Sequence, residues 1–69
     1  MPGLTFNVLR VGKKYRLTNY QERTDFIVEE ILENENFRIK DIHTMEILFM
    51  KDLIKFGKGI DFEIRDFDR

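Results

Sequence analysis

Five short runs between residues 13 and 67 carry the alternation of apolar and polar side chains that is typical of β-strands. The runs are KKYRLTN (13–19), TDFIVEEIL (24–32), NFRIKDI (36–42), MEILFM (45–50) and IDFEIRDF (60–67). One helical segment, KDLIKFGKG (51–59), interrupts this order just before the last run. The order predicts an all-β domain of five strands that close into a small barrel, with one short helical turn before the fifth strand.

The length and composition predict one domain whose stability comes from its core. A chain of 69 residues holds a single domain, and we assign residues 1–10 to a lead-in segment and residues 11–69 to the domain. The chain has no cysteine and only one histidine, which excludes disulfides, thiolate metal sites and multi-histidine zinc sites. Seven Phe and two Tyr supply large buried area instead. We therefore expect neither a cofactor nor a metal.

The charge balance predicts a folded chain without a membrane partner. Charged residues make up 36% of the sequence, but the net charge is only −1 and 42% of the residues are hydrophobic. No apolar run approaches the length of a membrane span, and the start MPGLTFNVLR does not resemble a signal peptide. We expect a cytoplasmic protein. Residues 1–23 are mainly basic and residues 24–36 carry five acids and no base, so the two segments would attract each other as neighbouring strands.

Residues 24–32 fit either a strand or a helix. Thr24 at an N-cap, followed by Asp25, would suit a helix. The Thr, Phe, Ile and Val content and the short polar turn at 33–36 favour a strand, which would supply the partner that residues 37–42 need. In the strand, the adjacent Ile31 and Leu32 break the alternation and predict a bulge or a sharp bend.

The alternation also predicts the core and the connections. Residues 19–23 are polar and are expected to form a loop, whereas Gly57 is placed to end the helical segment. Phe6 and Leu48 are expected to be exposed apolar residues that a second copy of the chain would cover. The predicted core residues are Tyr15, Leu17, Phe26, Val28, Phe37, Ile39, Ile47, Phe62 and Ile64.

The pattern FRIKDIHTMEILFMKDLIKFGKGIDFEI (37–64) resembles the SH3-like barrels, which include Tudor, chromo-related and KOW-type domains. The resemblance is one of layout: four meandering strands, a helical turn and a short fifth strand across residues 11–66. The chain is also similar to small uncharacterised bacterial proteins that end in DLI-x-x-G-K-G-x-DFE. Because many functions occur on this barrel, the resemblance implies a binding module without naming its ligand.

The chain carries no constellation that predicts catalysis. The segment Gly57-Lys58-Gly59 has the wrong spacing for a phosphate loop and precedes a strand, so a helix stop and a tight turn account for it. His43 lies in a predicted turn, and the chain contains neither Cys nor Ser to serve as its nucleophile. The pairs Glu29-Glu30 and Asp61/Glu63 are predicted to point outward. We therefore expect a protein that is not an enzyme.

Two groups of residues are candidates for a binding surface. Basic residues beside Tyr15 on the first strand, with Tyr20 in the next loop, have the composition of a nucleic-acid surface; they are Arg10, Lys13, Lys14 and Arg16. Aromatic residues near the loops would line a pocket at one end of the barrel; they are Tyr20, Phe26, Phe49 and Phe56. Since the pI is near 5.8, we rank protein–protein interaction or self-association first and nucleic-acid association second.

Overall fold

The structure is a computed structural model that describes residues 6–67. In chain order its elements are a 3-10 turn at Phe6–Val8, β1 at Lys14–Asn19, β2 at Glu22–Ile31, β3 at Phe37–Asp41, β4 at Ile47–Phe49, α1 at Met50–Leu53 and β5 at Glu63–Asp66. The predicted all-β class, with five strands and a short helix before the last one, is confirmed. The first half of the predicted lead-in, residues 1–5, lies outside the described residues.

The five strands form one antiparallel sheet in the order β4-β3-β2-β1-β5. The first four strands are a meander, and β5 returns to pair with the other side of β1, where Leu17 lies opposite Ile64. The described residues span 27 × 26 × 24 Å. Five flat strands side by side would make a much thinner ribbon, so these near-equal dimensions require that the sheet curls around its core.

The core lies on the concave face of this sheet and follows the period-two pattern. The buried apolar residues are Phe6, Leu9, Tyr15, Leu17, Phe26, Val28, Phe37, Ile39, Met50 and Ile64. Phe6 meets Phe37 edge-on, with ring centroids 5.8 Å apart. The expectation that Phe6 is exposed is therefore wrong, because this residue of the lead-in packs into the core. Leu48, also expected to be exposed, is half-buried against the same core.

Residues 22–31 are a strand throughout, which decides the ambiguity between strand and helix. β2 pairs with β1 along one side and with β3 along the other, so a helix is excluded. The register with β3 shifts between Val28 and Glu30 and leaves Glu29 as an extra residue. This irregularity lies two residues before the predicted break at Ile31. A bulge increases local twist and so helps the longest strand follow the curl of the sheet.

Two predicted details are wrong at β1–β2 and at β4. The expected loop at 19–23 is only a two-residue turn, Tyr20-Gln21, between paired strands. Ile47 was expected in the core, but it is 46% exposed, because Leu48 and Met50 occupy the inner positions of this segment. The run 45–50 is apolar on both faces, so alternation alone does not distinguish the inner residues.

The start of the last strand also differs from the prediction. β5 begins at Glu63, and residues 60–61 belong to a turn in which the Phe62 amide donates to the Gly59 carbonyl oxygen at 3.1 Å. Ile60 is fully exposed as a result. Phe62 is only half-buried, although it packs against the core as predicted.

Candidate functional site

The aromatic member of the basic first strand does not reach the surface. Tyr15 is only 1% exposed and packs against Phe26 at a centroid distance of 5.9 Å. Its hydroxyl oxygen accepts a hydrogen bond from the Arg10 amide at 3.0 Å. Tyr15 is therefore a core residue that holds the lead-in against β1, and it offers no face on which a base could stack.

Two of the four basic residues predicted for the first strand already have acidic partners, although Arg10 and Lys13 themselves precede β1. The Arg16 guanidinium binds the Asp25 carboxylate through Nε at 2.6 Å and Nη2 at 3.2 Å. The Lys13 Nζ atom lies 3.7 Å from Oδ1 of Asp66. The predicted attraction between residues 1–23 and residues 24–36 is present in the Arg16–Asp25 pair, whereas Asp66 lies outside the predicted acidic segment. Both ion pairs reduce the positive charge that these basic residues could offer to phosphates.

Asp25 is the centre of a polar cluster with Arg16 and His43. The side chain is nearly buried, and it accepts from Arg16 on one side while His43 Nε2 lies 2.8 Å away on the other. The Arg16 guanidinium, assisted by His43, holds the pKa of Asp25 below its usual value, although burial opposes this shift. His43 is predicted to occupy a turn and does so, with its amide bonded to Asp41. The cluster contains no hydroxyl or thiol nucleophile.

Among the four aromatic candidates, the structure brings Tyr20 and Phe56 together. The Tyr20 hydroxyl donates to the Phe56 carbonyl oxygen at 2.9 Å. Phe26 is completely buried in the core. Phe49 lies on β4 opposite Arg38, on the outer side of the sheet. Phe26 and Phe49 therefore lie apart from the Tyr20–Phe56 contact.

The turn that carries Tyr20 has an unusual backbone. Tyr20 and Gln21 have φ angles of 51° and 66°, in the left-handed region that normally favours Gly or Asn. Their amides both donate to the Asp61 carboxylate, at 2.9 and 2.8 Å. Asp61, which is 41 and 40 positions from these two residues in the chain, therefore holds the turn in a conformation that the side chains of Tyr20 and Gln21 disfavour.

Asn19 provides a second connection between the same two segments. Its buried side chain donates through Nδ2 to the Gly57 carbonyl oxygen at 3.2 Å and accepts through Oδ1 from the Gly59 amide at 2.8 Å. A Cβ atom on Gly59 would lie only 3.1 Å from the Tyr20 ring. A side chain at this position would therefore have to push the Tyr20 ring aside, so the close packing of residues 57–61 against the β1–β2 turn favours glycine.

Several exposed side chains project from this fixed loop. Phe56 is 81% exposed and Ile60 is fully exposed. The Lys55 ammonium lies 5.2 Å from the centroid of the Phe56 ring, and the Lys58 ammonium lies 4.7 Å from that of Phe6. We call Tyr20, Lys55, Phe56, Lys58 and Ile60 the Phe56 surface. It combines apolar side chains with two cations that have no acidic partner among residues 6–67.

A pocket of about 210 Å³ opens beside the β2–β3 turn. It is lined by Phe6, Asn7, Leu9, Ile31, Leu32, Glu35 and Phe37. The walls are mostly apolar, with one carboxylate at the rim. We call it the β2–β3 pocket.

The turn beside this pocket is also built from left-handed residues. Asn34 and Glu35 both have φ angles of 60°. The Leu32 amide donates to the Asn36 carbonyl oxygen at 2.8 Å, and Asn36 Oδ1 accepts from the amide of Lys51 at the start of α1. The pocket rim is therefore fixed to the segment that leads into the Phe56 surface.

Within residues 6–67 no helix is long and apolar enough to cross a membrane. The same part of the chain contains no group of three or more residues placed to hold a metal ion. Comparisons of the chain with protein-family models, with curated proteins and with solved structures gave no match.

Sequence reasoning found part of these surfaces and missed the rest. Tyr20 and Phe56 were candidates, but Ile60 was assigned to a strand face and Lys58 to a structural turn. The break in alternation at Ile31 and Leu32 was the available signal for the β2–β3 pocket. Asp61 and Asn19 carry no recognisable motif, since their roles depend on partners about 40 positions away in the chain.

Proposed function

We propose that this chain is a non-catalytic protein-binding module with the SH3-like layout, and that it binds through the Phe56 surface. The layout is supported by the strand order and by the short helix before β5. Binding is supported above all by one observation: Phe56 is 81% exposed on a loop that long-range hydrogen bonds hold in place.

The fixed loop favours binding because association loses conformational entropy for every group that must become ordered. A large apolar side chain on a rigid support can be buried by a partner with little further loss of entropy. The left-handed Tyr20-Gln21 turn adds to this argument, since strained backbone is most often retained where it positions a functional surface.

The alternative function, nucleic-acid association through the basic first strand, has weaker support. Arg16 and Lys13 are paired with carboxylates, and Tyr15 is buried. Phosphate binding by Arg16 or Lys13 would have to displace these carboxylates, which leaves only Arg10 and Lys14 of the four basic residues without an acidic partner among residues 6–67. Protein binding needs no such rearrangement at the Phe56 surface.

The test is a quantitative affinity capture with the intact chain and two variants. Phe56→Ser removes the apolar centre of the surface, and Val11→Ser removes another exposed apolar side chain that lies outside it. We expect a protein that is retained by the parent and by Val11→Ser, and lost with Phe56→Ser. Capture that is unaffected by Phe56→Ser, or that disappears on nuclease treatment, would contradict the proposal.

A further inference from the structure

The Phe56 ring and the β2–β3 pocket match in size and in apolar character. Phe56 presents an exposed phenyl ring. The pocket has a volume of about 210 Å³ and mostly apolar walls. Cavities of roughly 150 Å³ with such walls accept benzene, so this pocket has room for one phenyl side chain.

The two sites are also complementary in charge. Lys55 and Lys58 flank the ring on the Phe56 surface. Glu35 lines the pocket, and Glu33 lies two residues away in the same turn. None of these four has an ion-pair partner among residues 6–67, whereas most charges on the outer face of the sheet are paired. A phenyl ring entering the pocket would bring unpaired lysines to unpaired glutamates.

The positions of the two sites suit a reciprocal contact. Phe6 lines the pocket, and the face of its ring also contacts Lys58 at 4.7 Å. Asn36, next to the pocket rim, accepts a hydrogen bond from the Lys51 amide at 3.0 Å. The two sites are thus neighbours on one side of the molecule. In a two-fold dimer, the same surface patch faces itself, so neighbouring complementary sites can be filled twice.

We infer that Phe56 of one chain inserts into the β2–β3 pocket of a second copy, with Lys55 and Lys58 facing Glu33 and Glu35. The second copy fills the first chain's pocket in the same way, giving a two-fold dimer with two identical junctions. This inference rests on the proposed function, because it names the partner of the Phe56 surface.

Sedimentation of the pure chain at concentrations up to about 1 mM tests the dimer, since even a millimolar contact is then half-populated. We expect reversible dimerisation of the parent and of Val11→Ser. Phe56→Ser should weaken it roughly a hundredfold, because it removes both junctions and each buried phenyl ring contributes at least about a factor of ten. Ile31→Glu, which places a carboxylate at the exposed wall of the pocket, should have a similar effect. Circular dichroism verifies that both variants remain folded.

Mixing the two variants makes the test specific. The Phe56→Ser chain retains its pocket and the Ile31→Glu chain retains its phenyl ring, so the mixture regains one junction. We expect the mixture to form a 1:1 heterodimer at concentrations at which each variant alone is monomeric. Raising the salt concentration should weaken it, because exposed ion pairs are screened.

A parent chain that remains monomeric at about 1 mM overturns the inference. If the parent dimerises below about 0.1 mM, a mixture that fails to associate also overturns it, because one junction should bind only about tenfold more weakly than two. Either result leaves the capture experiment free to show a different protein on the Phe56 surface, so the two proposals fail separately. Dimerisation that survives both variants would place the interface elsewhere on the chain and would also overturn it.

Discussion

Replacement of Asp61 by Ala should destabilise the fold through a turn that lies far from it in the chain. Asp61 accepts the Tyr20 and Gln21 amides at 2.9 and 2.8 Å. A hydrogen bond to a charged group is worth about 1.5–3 kcal/mol where water is excluded. Since this turn is exposed and water can replace the carboxylate, we take about 0.5–1 kcal/mol for each bond. The expected loss is therefore about 1–2 kcal/mol.

Chemical denaturation measures this loss, and thermal melting should show a decrease in Tm of roughly 5–15 °C for a domain of this size. Asp66→Ala is the matched control, because Asp66 makes only a 3.7 Å ion pair with Lys13 at the surface and should cost less than about 0.5 kcal/mol. Gln21→Gly should recover part of the loss in the Asp61→Ala background, because glycine adopts the left-handed turn without support. Equal stability of the Asp61 and Asp66 variants would refute the reasoning.

Three further predictions follow from other parts of the structure. The pKa of Asp25 is lowered in the folded state, so its ionised carboxylate contributes to the free energy of unfolding fully above the unfolded pKa near 4, and this contribution disappears as the pH falls through the folded pKa. In a pH series of denaturation curves, Asp25→Asn should therefore lose less free energy of unfolding on acidification than the parent does. Phe37→Ala should cost about 3–5 kcal/mol in denaturant titrations, and Phe62→Ala about 1–3 kcal/mol because Phe62 is only half-buried; equal losses would contradict the assigned burial. Fluorescence anisotropy should show no nucleic-acid binding tighter than roughly tens of micromolar at physiological salt, and submicromolar binding that is lost on Lys13→Glu with Lys14→Glu would reverse the order of the two functions.

The strands and most of the core were predictable because they depend on local alternation. Leu17 and Ile39 alternate with polar neighbours, and each is buried as predicted. The same rule misplaced Ile47, since its neighbours on both sides are apolar and the register with β3 decides which residues point inward. Where both faces of a strand are apolar, alternation does not separate them, and the pairing register decides which face lies inside.

The candidate site was less predictable because it depends on contacts distant in the chain. Polar composition suggested a loop at 19–23, and nothing local indicates that Tyr20 and Gln21 would adopt left-handed angles. Those angles are stabilised by Asp61, which the period-two pattern assigned to the outer face of a strand. Phe56 was recognisable as an aromatic residue near a loop, but the Asn19 contacts that hold the neighbouring Gly57 and Gly59 join positions about 40 residues apart.

The position of β1 between β2 and β5 has a consequence for folding during synthesis. β1 and β2 are contiguous and can pair as soon as both have been made, but the other side of β1 waits for residues 63–66. Until then the nascent chain carries an unpaired strand edge with Ile64 missing from its core. An open edge of this kind pairs readily with other chains, so the addition of β5, rather than formation of the first hairpin, is the step that closes this edge of β1.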